Sequence, residues 1–134
     1  MLLALFLLLA SEKEPKVQLQ PTPRVALLPG GTRATVVRFR LRVHDGGKED
    51  YYCPRVEWEW EDGTKSSEES DCAPFEQATA ADHDRVWSHS REYWDAGQHL
   101  IVVRLYKGDR VIRKVETTVD VRGESVPDSF RERD

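Results

Sequence analysis

A chain of 134 residues, 39% hydrophobic and 33% charged, has the length and composition of one globular domain with a heavily charged surface. Its 24 acidic residues against 20 basic ones leave a formal charge of −4. That balance argues against a general nucleic-acid binder, which needs a basic excess to neutralise phosphates.

The amino end, MLLALFLLLASEKEPK, is apolar through Ala10 and then abruptly charged. Ten apolar residues fall short of the roughly 20 that a membrane-spanning helix needs, so no transmembrane span is expected. They match the hydrophobic region of a secretory signal, with Leu8-Leu9-Ala10 as a poor small-residue cleavage site and no positively charged leader. A buried apolar strand or helix is the alternative. Residues 1–10 are therefore expected as a signal peptide and 11–16 as a linker, and no cysteine follows the apolar run to carry a lipid anchor. The two cysteines, Cys53 and Cys72, read as one disulfide in an exported chain and as two unrelated thiols in a cytosolic one. No second cysteine pair is present, and the four histidines lack zinc-ligand spacing.

Past the leader, EPKVQLQPTPR predicts an extended lead-in or edge strand, because proline donates no ladder hydrogen bond. VALLPGGT then brings Val25, Leu27 and Leu28 to a Pro-Gly-Gly turn. In TVVRFRLRVHDGG, Val37, Phe39, Leu41 and Val43 share one parity, and Arg38, Arg40 and Arg42 the other. A period of two with apolar and cationic faces means a strand with one side in the core and one in water. An arginine row suggests a polyanion site. The plainer expectation is a solvated face whose arginines pair with glutamates of a neighbouring strand. HDGGKED is a loop, after which Val56, Trp58 and Trp60 alternate with Arg55, Glu57 and Glu59. Glu57 and Glu59 are the expected partners of the arginine row.

Residues 61–90 are the least regular stretch: a turn at Asp62-Gly63, a short polar strand or loop, then a helical turn in ATAADHDRVW. Alternation returns at His99, Ile101, Val103 and Leu105, and a Lys107-Gly108-Asp109 turn leads to Val115, Thr117, Val119 and Val121, a hairpin of β-branched strands. The end, residues 123–134, is polar, lacks periodicity, and is expected to be a disordered tail. About seven strands without a convincing helix predict an all-β sandwich of two antiparallel sheets.

The run Trp58-Glu59-Trp60-Glu61-Asp62-Gly63-Thr64, followed by Tyr93, Gly97 and the alternating row from His99, resembles a divergent polycystic-kidney-disease (PKD) type immunoglobulin-like domain over residues 17–122. Glu61 stands where that family prefers glycine, Arg91 where it has histidine, Ala96 where it has proline and His99 where it has its second aromatic. The resemblance implies an immunoglobulin-like sandwich serving as an extracytoplasmic spacer or interaction module. Trp58 and Trp60, two residues apart on one strand, then belong to the core, with Asp62 and Gly63 supplying the turn.

Catalytic letters cluster in ADHDRVWSHSREYWD: Asp82, His83, Asp84, Ser88, His89, Ser90 and Glu92. Adjacent residues of an extended strand point to opposite sides, and no nucleophile elbow precedes the serines, so no enzyme is expected. His83, Asp84 and His89 fit no metal-ligand spacing. Asp45, Glu49, Asp50 and Asp62 are weak calcium candidates, in oxygen-rich loops without an EF-hand pattern. No cofactor is expected.

Tyr51, Trp87, Trp94 and Tyr106 fall outside the inward rows; Trp87, Trp94 and Tyr51, exposed together, would make a platform for sugar rings or a protein partner. The alternative is that the tryptophans fold under the long connection. The expectation is a secreted, periplasmic or cell-surface module for protein interaction, adhesion or structural spacing, its partner another protein or a cell-surface component. A small carbohydrate-binding module for a polysaccharide is the second reading.

Overall fold

The computed structural model describes residues 14–76 and 83–131. The expected signal peptide and the first half of the expected linker lie outside the described residues, as does the start of the expected helical turn. The described chain forms β1 (Lys16–Thr22), β2 (Val25–Leu27), β3 (Thr35–His44), β4 (Arg55–Glu59), β5 (Lys65–Glu68), β6 (Asp84–Tyr93), β7 (Gly97–Lys107) and β8 (Arg110–Arg122). These eight strands make two sheets, ordered β1-β3-β6 and β2-β8-β7-β4-β5. Only β2 on β8 is a parallel pair. Strands β1, β3 and β6 against β4, β7 and β8 reproduce the two-sheet division of an immunoglobulin-like sandwich.

The core is built by the parity read from the sequence. Val37, Phe39, Leu41 and Val43 of β3 face Val56 and Trp58 of β4, Ile101, Val103 and Leu105 of β7, and Val119 and Val121 of β8, all at most 1% exposed. Trp58 and Trp60 point the same way and stack, with ring centroids 5.4 Å apart and planes 10° apart. Phe39 meets Trp60 and Tyr93 edge-on at 5.7 and 6.4 Å, arrangements favoured by the ring quadrupole.

The disulfide joins Cys53 and Cys72, with Cα atoms 6.3 Å apart. Cys53 precedes β4 and Cys72 follows β5, so the bridge closes the open end of that hairpin rather than linking the two sheets.

Two sequence expectations are corrected. First, β3 and β4 lie in different sheets, so Glu57 and Glu59 do not face the arginine row. They pair across β7 with Arg104, whose Nη1 lies 2.6 Å from Glu59 and 3.6 Å from Glu57. Second, Asp84–Trp87 is not helical: it opens the ten-residue strand β6, which pairs with β3 along its whole length. Its inward row is Arg85, Trp87, His89, Arg91 and Tyr93, and Val86 points outward, which hides the usual apolar alternation. Inward charges also protect an edge strand from pairing with other chains. The described end of the chain, through residue 131, is docked through Arg131. Val126 is 2% exposed and its N–H donates to the Trp94 carbonyl at 2.8 Å, while Arg131 donates to the Val126 carbonyl and pairs with Asp95.

Candidate functional site

The three aromatic candidates are not gathered into one platform. Tyr51 and Trp87 are half-buried, their rings packed against the core. Trp94 lies seven positions beyond Trp87, roughly 23 Å along an extended chain. Tyr51 has a structural task. Between Leu105 and Tyr106 the β7–β8 register slips, leaving Ile112 without a ladder partner, and the Tyr51 hydroxyl donates to the Ile112 carbonyl at 3.1 Å. A β-bulge orphans a backbone group, and here a phenol satisfies it.

The carboxylate candidates are likewise dispersed. Asp45, 1% exposed, accepts from the backbone N–H groups of Gly47 and His83 at 2.8 and 3.0 Å and stands 2.9 Å from His83 Nδ1. Asp50 pairs with Arg110 at 3.2 Å, and Glu49 begins the adjacent 3-10 turn. Asp62 accepts from the Thr64 N–H at 3.0 Å and the Thr64 hydroxyl at 2.6 Å, which hold its carboxyl below the usual range. Among the described residues no three His, Cys, Asp or Glu side chains stand together to hold a metal ion. On β6, Asp84, Ser88, Ser90 and Glu92 face outward and His89 inward, so strand geometry separates the serines from the histidine. Asp82 lies outside the described residues.

The turn after β4 joins Glu61 and Arg91, two of the four positions at which the sequence departs from the pattern it resembles. Arg91 donates through Nε to both Glu61 oxygens at 3.0 and 3.2 Å and through Nη2 to Asp62 at 3.1 Å, with its guanidinium over the Trp60 ring at 4.8 Å. Tyr93 donates to the same Glu61 at 3.4 Å; burial, and then the Glu61 charge, push its phenol pKa up. An open crevice of about 540 Å³ lies beside this network, with Trp94, Asp95 and Arg131 on its far side. Its two arginines are matched by carboxylates, Arg91 by Glu61 and Asp62 and Arg131 by Asp95 and Asp128, while Glu92 on its wall makes no ion pair among the described residues.

The outer face of the three-stranded sheet is different. Its register sets Gln18, Arg42 and Val86 in one line across the strands, Gln20, Arg40 and Ser88 in the next, and Thr22, Arg38 and Ser90 in the third. The neighbours of the arginine row are therefore glutamines, threonine and serines. Only Arg42, at one end, has a carboxylate, 3.4 Å from Asp84. Arg38 and Arg40 are exposed and, among the described residues, have no ion pair or side-chain hydrogen bond; Glu92, diagonal to Arg38, makes none with it. In an extended strand their Cα atoms are about 7 Å apart. Two unpaired guanidiniums therefore stand side by side on a rigid strand, between rows of neutral hydrogen-bonding groups.

The arginine alternation was visible in the sequence. What it could not show was the strand order, which puts Gln and Ser rows beside β3 in place of glutamates. Among the described residues no helix is long and apolar enough to cross a membrane. No family model, no curated protein and no solved structure matches this chain.

Proposed function

We propose that this chain is a non-enzymatic, extracytoplasmic interaction module of PKD type, which meets another protein or a cell-surface component through the outer face of its three-stranded sheet. The observation that carries the reading is the unpaired state of Arg38 and Arg40. Arg104 and Arg91 have their charges matched by carboxylates, and Arg85 spends its own on the Tyr52 carbonyl, whereas Arg38 and Arg40 engage no group of the described chain. An arginine pair held on a rigid sheet without a carboxylate is preorganised for a charge brought from outside.

Export is supported by the Cys53–Cys72 bridge, since such bonds persist in oxidising compartments. The PKD assignment is supported by the turn, in which Asp62 caps Thr64 and Gly63 takes the positive φ of 81°. It is also supported by the Arg91–Glu61 contact, which explains two departures by one compensating pair. The test is binding of purified, fluorescently labelled protein to intact cells of the source organism. Saturable binding that is lost on Arg38→Glu/Arg40→Glu is expected. Binding that the double variant retains in full would sink the proposed face.

A further inference from the structure

We infer that the arginine face binds an acidic polysaccharide. This rests on the reading of that face as an interaction surface and assigns the chemistry of the partner. The charge argument is direct: Arg38 and Arg40 are unpaired cations on a chain of net charge −4, so the ligand supplies anionic groups at that spot. A guanidinium fork donates two N–H groups in one plane to a carboxylate or sulfate oxygen pair, which an ammonium does not do.

The flanks decide between an acidic polymer rich in hydroxyls and an acidic protein segment. Arg38 and Arg40 lie between Gln20 and Thr22 on one side and Ser88 and Ser90 on the other, all exposed and without side-chain partners among the described residues. That gives two outer rows of amide and hydroxyl groups about 10 Å apart, with the cations along the midline. Such groups both donate and accept, which suits sugar hydroxyls on either side of a charged substituent. A protein partner, in contrast, is anchored by aromatic or aliphatic side chains entering desolvated pockets. The central lines of this face hold no aromatic residue, Val36 and Val86 stand only at its margins, and Ser90 reaches the rim of the polar crevice beside Arg91. The surface is exposed, hydrophilic and cationic.

The experiment is affinity measurement on the full chain with polygalacturonate and dextran sulfate as probes, and neutral dextran, poly-L-glutamate and duplex DNA as comparators. Both acidic polysaccharides are expected to bind, with affinity falling about tenfold between roughly 50 and 300 mM salt. Arg38→Gln/Arg40→Gln should lose about tenfold or more at low salt. Arg104→Gln, on the other sheet, should bind as the parent does, and matching thermal melts show that the double variant is folded.

Absence of binding to either acidic polysaccharide overturns the inference, as does binding that the double variant keeps. Equal or tighter binding of poly-L-glutamate or duplex DNA also overturns it, in favour of an acidic protein segment or a nucleic acid. Measured beside cell binding, the outcomes separate: cells that bind in an arginine-dependent way while the acidic polysaccharides do not leave the interaction face standing and remove only its assigned partner.

Discussion

The two outer faces of the sandwich carry arginines on the same kind of surface, yet use them in opposite ways. On the five-stranded sheet, Arg104 of β7 stands across from Glu57 and Glu59 of β4, and Tyr106 donates to Glu57 at 3.4 Å while Arg55 lies over the Tyr106 ring at 4.0 Å. Every one of those groups answers another. On the three-stranded sheet, the arginines of β3 have only neutral neighbours for most of their length. Strand order, and not residue type, decides whether a charged row closes on itself or stays open. A closed row contributes to folding; an open one costs a little repulsion and is available to a partner.

The largest effect expected belongs to the stapled side. Reducing the Cys53–Cys72 bridge frees a loop spanning a separation of 19 residues and should destabilise the domain by about 3 kcal/mol. Urea melts with and without reductant measure it. Since the bridge closes the β4–β5 hairpin, the loosening should show first at Trp58 and Trp60, through their fluorescence. A loss spread equally over both sheets would blur the contrast drawn here.

Next comes Tyr51→Phe. It removes the hydroxyl that satisfies the bulge carbonyl of Ile112 and leaves the ring in place. An orphaned, partly buried acceptor costs about 1–2 kcal/mol, read as a lower urea midpoint with unchanged m. A silent Tyr51→Phe would mean that water serves the bulge as well. A ligand role for Tyr51 would instead appear as altered binding with unaltered stability.

The third test uses acid. The Arg104 hydrogen bond, more than charge alone, holds the Glu59 carboxyl below its ordinary value of 4.5. A carboxylate depressed in the folded state adds stability that is fully present above that ordinary value and is lost as pH falls through the lowered one. Stability should therefore fall below about pH 4.5, and Glu59→Gln should make that fall shallower. Arginines do not titrate in this range, so Arg38→Gln/Arg40→Gln should leave the acid limb as it is. If the acid limb is the same in Glu59→Gln, the closed row is not where the pH sensitivity resides.

How much of this was legible in the sequence depends on whether a contact is local. The alternation of β3, the paired indoles of Trp58 in β4 and Trp60 just past its end, the hairpin at Lys107-Gly108-Asp109 and the cysteine pair all rest on neighbours in the chain, and each is found where the pattern puts it. Strand β6 was hidden because its inward row is Arg85, Trp87, His89, Arg91 and Tyr93. There the polar ends reach Tyr52, Glu68 and Glu61 at the rim of the core, so burial does not require apolar letters. The partners of the arginine row were hidden for a different reason. Nothing in a strand says which sheet it will join, so the glutamates nearest in sequence were the wrong ones.

The smallest effect tests the open row itself and has the opposite sign to the rest. Two like charges about 7 Å apart repel by about 0.6 kcal/mol in bulk water, before salt screens them. Arg40 has such a neighbour on each side, Arg38 and Arg42, and no carboxylate of its own. Arg40→Gln should therefore raise the melting temperature by a degree or two at low salt, and the gain should fade as salt is added. Arg104→Gln should lower it, because a matched pair is broken and its carboxylates are left to repel. Opposite signs for the same substitution on two faces would be hard to obtain from surface composition alone. Equal signs would mean that the row on β3 is already neutralised in solution by bound ions.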